Sequence, residues 1–144
     1  MELKNENDFE RAITLFIDAH WTHIEMPFKP GFPDLDYCIT GVCGQIEVKF
    51  VKKGRVPHLR STQKAWMRER LKANGSPMIW MLDGTKVYVI CRDGIEKLLI
   101  GNSSLSIWKS LAADVIDLNW TDASNSDPWF LLEQWLYRKV PAEG

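Results

Sequence analysis

Long apolar runs are missing from this 144-residue chain, and no stretch approaches the roughly 20 consecutive apolar residues of a membrane-spanning helix. The charged N-terminus also lacks the apolar segment of a secretory signal, so no membrane contact and a cytoplasmic location are expected. Cysteine is scarce. Cys38, Cys43 and Cys91 are odd in number and without zinc-ligand spacing, which makes reduced, packed thiols the expectation. Internal repeats and low-complexity tracts are lacking, which excludes solenoids and long linkers. A net charge of one sign is lacking as well: 18 Lys and Arg face 19 Asp and Glu, for a total of −1. With 45% hydrophobic residues, the chain suits one compact domain over 1–144 with a sizeable core.

The near-zero total hides a strong local imbalance. Between Lys49 and Lys72 there are nine Lys and Arg against the single acid Glu69, so that segment carries +8 and the remainder −9. A basic stripe of this kind supplies phosphate contacts, and Lys52, Lys53, Arg55, Arg60, Lys64 and Arg68 are its candidate DNA-binding residues. A solvated helix face beside a charged loop is the plainer account of the same charges.

Clustered carboxylates lie next to the stripe. Gly31 to Lys49 reads as strand, turn and strand, with Leu35, Tyr37 and Ile39 on one face and Asp34, Asp36 and Cys38 on the other. Gly41 to Gly44 reverses the chain, with glycine supplying the positive φ of a tight turn. In the second strand Ile46, Val48 and Phe50 share one face, and Glu47 and Lys49 share the opposite one. Carboxylates gathered in this way repel one another unless a cation sits between them, and Mg²⁺ prefers such hard oxygen ligands. An exposed hairpin with a Glu47–Lys49 salt bridge accounts for the tripeptide alone.

Pro33-Asp34, twelve further residues and then Glu47-Val48-Lys49 resemble the signature of the PD-(D/E)xK nuclease superfamily. The basic loop that follows, then a helix with Gln63 near its start, then a Gly and a strand, is similar to the virus-type replication-repair nuclease branch. The resemblance covers about Glu6 to Ile90. It implies a metal-dependent DNA endonuclease, selective for branched or flapped DNA, that uses Mg²⁺ or Mn²⁺ and no organic cofactor. It further implies Asp34, Glu47 and the Val48 backbone carbonyl as metal ligands, Lys49 as the catalytic lysine and Gln63 as a supporting residue. A Glu from the first helix is implied near the metal. Glu6 lies about 60° from Phe9 on a helical wheel and Glu10 about 100°, which favours Glu6 and keeps Glu10 as the alternative. A restriction-type or general nuclease, and a non-catalytic nucleic-acid-binding module, are the competing readings.

The rest of the chain is read for elements. Asn5 to Thr22 shows helical periodicity, capped by Asn5 or Asn7 and ended by His20, Trp21 and His23. Pro27, Pro30 and Pro33 form a stiff connector. Ser61 or Thr62 caps the Gln63 helix, which stops at Asn74-Gly75. Met78–Leu82 and Lys86–Cys91 read as strands joined by Asp83-Gly84. Asp93–Leu99, Leu105–Ile116 and Asp127–Lys139 read as helices. The expected fold is therefore α/β, with a central mixed sheet of four or five strands flanked by helices, as in restriction-endonuclease-like cores. The core would span about 5–91 and a Trp-rich helical extension about 92–144. In that extension Trp129, Phe130, Leu132 and Trp135 either form a homodimer interface or cover the second face of the sheet.

Overall fold

The computed structural model describes residues 2–24, 31–101, 104–119 and 127–137. The chain runs α1 (Glu6–Phe16), β1 (His20–His23), β2 (Leu35–Ile39), β3 (Val42–Phe50), α2 (Ser61–Lys72), β4 (Met78–Asp83) and β5 (Lys86–Ile90). It continues through α3 (Arg92–Leu98), α4 (Leu105–Ser110), β6 (Asp114–Asp117) and α5 (Pro128–Leu136). Six strands form one mixed sheet in sequence order, antiparallel throughout except for the parallel pair β3–β4. A parallel pair needs a crossover, and here the basic loop and α2 supply it.

Helices cover both faces of the sheet. Phe9, Ile13 and Ile17 from the α1 segment and Leu132, Trp135 and Leu136 from α5 pack on Leu35, Tyr37, Ile46, Val48 and Trp80. Met67 and Leu71 of α2, Ile95 and Leu98 of α3, and Trp108 of α4 pack on Ile79, Met81 and Ile90 from the other side. A sheet buried on both faces loses the simple polar-out alternation. Glu47 and Lys49 consequently end up inside the protein, at 2% and 8% exposure.

Two short strands replace expected helix. α1 is capped by Asn5, whose Oδ1 accepts the Asp8 N–H at 2.8 Å, but it stops at Phe16. His20, Trp21, Thr22 and His23 then pair antiparallel with Cys38, Tyr37, Asp36 and Leu35. Likewise Leu105–Ile116 is helical only to Ser110, and Asp114–Asp117 forms the opposite edge of the sheet on β5. Both segments carry mostly half-buried or exposed side chains. Backbone pairing to an open edge, rather than an apolar pattern, makes them strands. Among the described residues the sheet therefore has six strands, and β5 is internal.

The expected extension belongs to the core. Asp127 caps α5 by accepting the Trp129 N–H at 2.9 Å, with Pro128 in the first turn. Tyr37 Oη donates to the Leu136 carbonyl at 3.0 Å, tying α5 to the hairpin, and burial pushes that phenol up to about 12. Leu132 and Trp135 cover the sheet, leaving Phe130 exposed and Trp129 against Phe16 at 5.2 Å. The connector prolines Pro27 and Pro30, Trp120 and Lys139 lie outside the described residues.

The hairpin differs from expectation in two details. Thr40 and Gly41, at φ 46° and 83°, form its two-residue turn. Gly44 instead sits opposite Tyr37, where a Cβ would lie 2.6 Å from the phenol oxygen. Cys38 and Cys43 face each other across the strands, with Cα atoms 4.1 Å apart, and form a disulfide. This corrects the expectation of reduced thiols: the short turn brings the two side chains together, a proximity that counting cysteines does not register. Cys91 stays outside that bond.

Candidate active site

Asp34 enters the sheet through a pinned approach. Gly31, at φ 98°, packs so closely on the Thr62 carbonyl at the start of α2 that no Cβ would fit. Phe32 then meets Trp66 with ring centroids 5.0 Å apart, and the Arg70 guanidinium lies over that indole at 4.7 Å. β2 pairs with β3 only as far as Leu35 opposite Ile46. Beyond that pair the Val48 N–H has lost its strand partner, and it donates to Asp34 Oδ2 at 2.8 Å. The N–H and C=O of one strand residue face the same edge, so the Val48 carbonyl faces the same gap.

Glu6 and Glu10 reach this gap together from α1. They are one turn apart on one side of the helix, and carboxylate oxygens of Glu6, Glu10 and Asp34 lie within 4.8 Å of one another. The choice between the two glutamates therefore dissolves: both are present. His23 of β1 stands behind them, with Nδ1 3.9 Å from Glu10 Oε2.

Glu47 and Lys49 occupy the buried side. Lys49 Nζ lies 3.0 Å from Glu47 Oε2 and donates to the His58 carbonyl at 3.1 Å and to Gln63 Oε1 at 3.5 Å. Gln63 Nε2 donates to Glu47 Oε2 at 2.9 Å, while Gln63 Oε1 accepts the Arg60 N–H at 2.9 Å. Arg60 thus holds the N-cap position expected of Ser61 or Thr62, and Gln63 at the third helical residue reaches back to it. One side chain both closes the helix end and fixes the carboxylate. An arginine three residues before a glutamine is not a capping signature, so neither this cap nor the role of the His58 carbonyl carries a sequence signal.

Crowded acids in a half-dry site resist ionising. Glu10 is raised to about 7, first by burial, then by the charges of Asp34 and Glu6 and by a hydrogen bond shared with Asp34. Glu6 is raised by burial and by Asp34, against the pull of Lys49 and Arg60. Glu47 is raised by burial and then by Asp34, with Lys49 opposing. A carboxyl whose folded pKa exceeds its ordinary 4.5 holds its proton more tightly when folded. Its contribution is present below 4.5 and is lost as pH rises through the folded value. Without divalent metal, Tm should therefore fall between pH 5 and 7. For Glu10, whose side chain is 12% exposed, the drop should be about 3–6 °C, roughly 1–2 kcal/mol in a domain of this size. Calorimetric scans of Glu10→Gln should show a flatter profile; an identical slope would mean that Glu10 titrates normally.

The basic residues divide by position. Lys52, Lys53, Arg55 and Arg60 are exposed around the loop, where Lys53 and Gly54, at φ 52° and 70°, make the bend. Lys64 is half-buried beside a hollow under the loop. Arg68 turns away, donating to the Leu99 carbonyl at 3.0 Å.

Hard oxygen donors that repel one another, beside a lysine, form an arrangement able to hold a divalent cation and to meet an anionic substrate. Comparison of the chain with protein-family models, curated proteins and solved structures finds no match. The site has to be read from its own geometry. Among the described residues, no helix is long and apolar enough to cross a membrane.

Proposed function

We propose that the protein is a metal-dependent nuclease that hydrolyses phosphodiester bonds in DNA, acting on branched or flapped substrates. The reading rests on one observation. Glu6 and Glu10 of α1 gather with Asp34 at the strand entry, and beside them Glu47, close enough to feel the charges of Asp34 and Glu6, is bonded to Lys49 on β3 and to Gln63 on α2. The reading is supported by the closeness in space of residues that lie far apart along the chain.

The donor set fits Mg²⁺ or Mn²⁺. Asp34, Glu47 and the Val48 carbonyl would hold the ion, with Glu6 and Glu10 as further ligands, directly or through water. When bound, the cation lowers the pKa of a coordinated water and stabilises charge on the phosphate. The chain supplies the rest. Lys49 is fixed by Glu47 and the His58 carbonyl, and the N–H that makes only a 3.5 Å contact with Gln63 Oε1 turns to orient the attacking water and offset charge developing on the phosphate. Gln63 keeps Glu47 aimed, and the exposed cations of the loop bind the DNA backbone.

Calorimetric titration with Mn²⁺ tests the reading. Binding should release protons at pH 6.5, because Glu10 must ionise, and the heat should vary with the ionisation enthalpy of the buffer. Absence of Mn²⁺ binding, with or without DNA, would favour a non-catalytic nucleic-acid-binding module. The loop makes a separate prediction. Arg55→Ala and Arg60→Ala should each weaken binding to all DNA sequences and lower the salt slope by roughly 0.9. Arg68→Ala should change it less, since Arg68 is held at Leu99. Unchanged slopes for Arg55 and Arg60 would move the DNA to another surface.

A further inference from the structure

We propose that the hollow between the basic loop and the α3–α4 layer receives one unpaired nucleobase of the DNA substrate; the proposal rests on the nuclease reading and adds what the site selects. The hollow has a volume of about 260 Å³ and is walled by Val56, Pro57 and His58 on the loop side and by Leu98 and Trp108 opposite, with Lys64 beside them. That volume falls below the roughly 300–1,000 Å³ of sites for drug-sized ligands, which suits a single planar ring system.

Its chemistry is divided as a nucleotide's is. Val56 and Pro57 offer apolar surface to the face of a ring over a floor of the buried Leu98 and Trp108, and Lys64 offers a charge to its phosphate. Val56 stands out: it is 44% exposed, an apolar side chain in a loop whose other exposed members are mostly cations. DNA drawn in by Lys52, Lys53, Arg55 and Arg60 therefore meets an apolar opening among the charges.

The hollow also abuts the catalytic group. His58, which lines it, gives its carbonyl to Lys49 Nζ at 3.1 Å, and Lys64 follows Gln63 on α2. A base seated there bears on the segment that positions Lys49. A paired base must first leave its duplex, whereas a flap or frayed end offers one already unpaired. Selectivity for branched DNA then follows from a cavity rather than from sequence readout.

Gly101 lines the same hollow and is exposed, and a Cβ placed on it meets no atom within 4 Å, so the position accepts a side chain and Gly101→Phe is chosen to obstruct the hollow. The test uses the full chain carrying Asp34→Asn to prevent cleavage, and a flap with 2-aminopurine beside the junction. Anisotropy reports DNA binding and aminopurine emission reports seating of the base. The emission should change on binding. Gly101→Phe should abolish that change and raise the flap Kd about tenfold, toward that of a blunt duplex of equal length. Val56→Asp, at an exposed position, should do the same. DNA binding without an emission change, or an emission change that survives both substitutions, would overturn the pocket alone. Absence of DNA binding by anisotropy would overturn the nuclease reading with it.

Discussion

Lys49→Met should abolish DNA cleavage, by about 10³-fold or more in kcat, and also destabilise the metal-free protein. Lys49 is 8% exposed and its ammonium sits 3.0 Å from the Glu47 carboxylate. Methionine keeps the apolar stem of the side chain but leaves Glu47 facing Asp34 and Glu6 without the adjacent cation. Breaking a buried pair from one side costs about 3 kcal/mol. Glu47 is raised to about 8, so the deficit should be small at pH 6, where its carboxyl is protonated, and largest at pH 9, where it is ionised and Lys49 offsets the repulsion. Urea unfolding at the two pH values measures this. Equal deficits would show that the loss comes from packing and not from charge.

Asp34→Asn should be as damaging to cleavage and harmless to folding. The asparagine oxygen can still accept the Val48 N–H, bonded at 2.8 Å, so the strand entry is kept. What disappears is one negative charge beside Glu6, Glu10 and Glu47. Metal-free stability should stay level or rise slightly, and Glu10 should titrate closer to its ordinary value once Asp34 no longer opposes its charge. The pair of variants separates two roles that activity alone would merge. Loss of Lys49 costs stability and activity together, whereas loss of the Asp34 charge costs activity only. Marked destabilisation of Asp34→Asn would mean that the carboxylate is chiefly a structural anchor.

The parts of the molecule legible in the sequence are those with a strong local signal. Leu35, Tyr37 and Ile39 alternate because one face of β2 is buried, and Met67 and Leu71 mark the packed side of α2. Asp127-Pro128 announces a helix start, and α5 begins there. β1 and β6 were not legible because each is four residues long, largely exposed, and made a strand by its neighbour's free edge. The same limit hid the disulfide, since the meeting of Cys38 and Cys43 depends on a register that only the turn at Thr40-Gly41 sets.

The candidate site divides along a similar line. Asp34, Glu47, Lys49 and Gln63 were legible as a spaced pattern, and the structure brings them to one place. The helical wheel ranked Glu6 above Glu10 by angle from the apolar stripe, yet α1 meets the sheet so that both reach Asp34. Helical periodicity places a side chain on a face; the crossing of that face over a strand end is tertiary. Arg68 illustrates the converse. Its charge put it in the basic stripe with Arg60 and Lys64, but the carbonyl left open at the end of α3 takes its guanidinium.

Cleavage of an end-labelled flap DNA, in Mg²⁺ and in EDTA, by the unmodified chain and by Asp34→Asn tests the central claim most directly. The account predicts product from the unmodified chain in Mg²⁺ only, with Asp34→Asn reduced by about 10³-fold while its unfolding curve is unchanged. Product that persists in EDTA, or that forms equally well with folded Asp34→Asn, would contradict it.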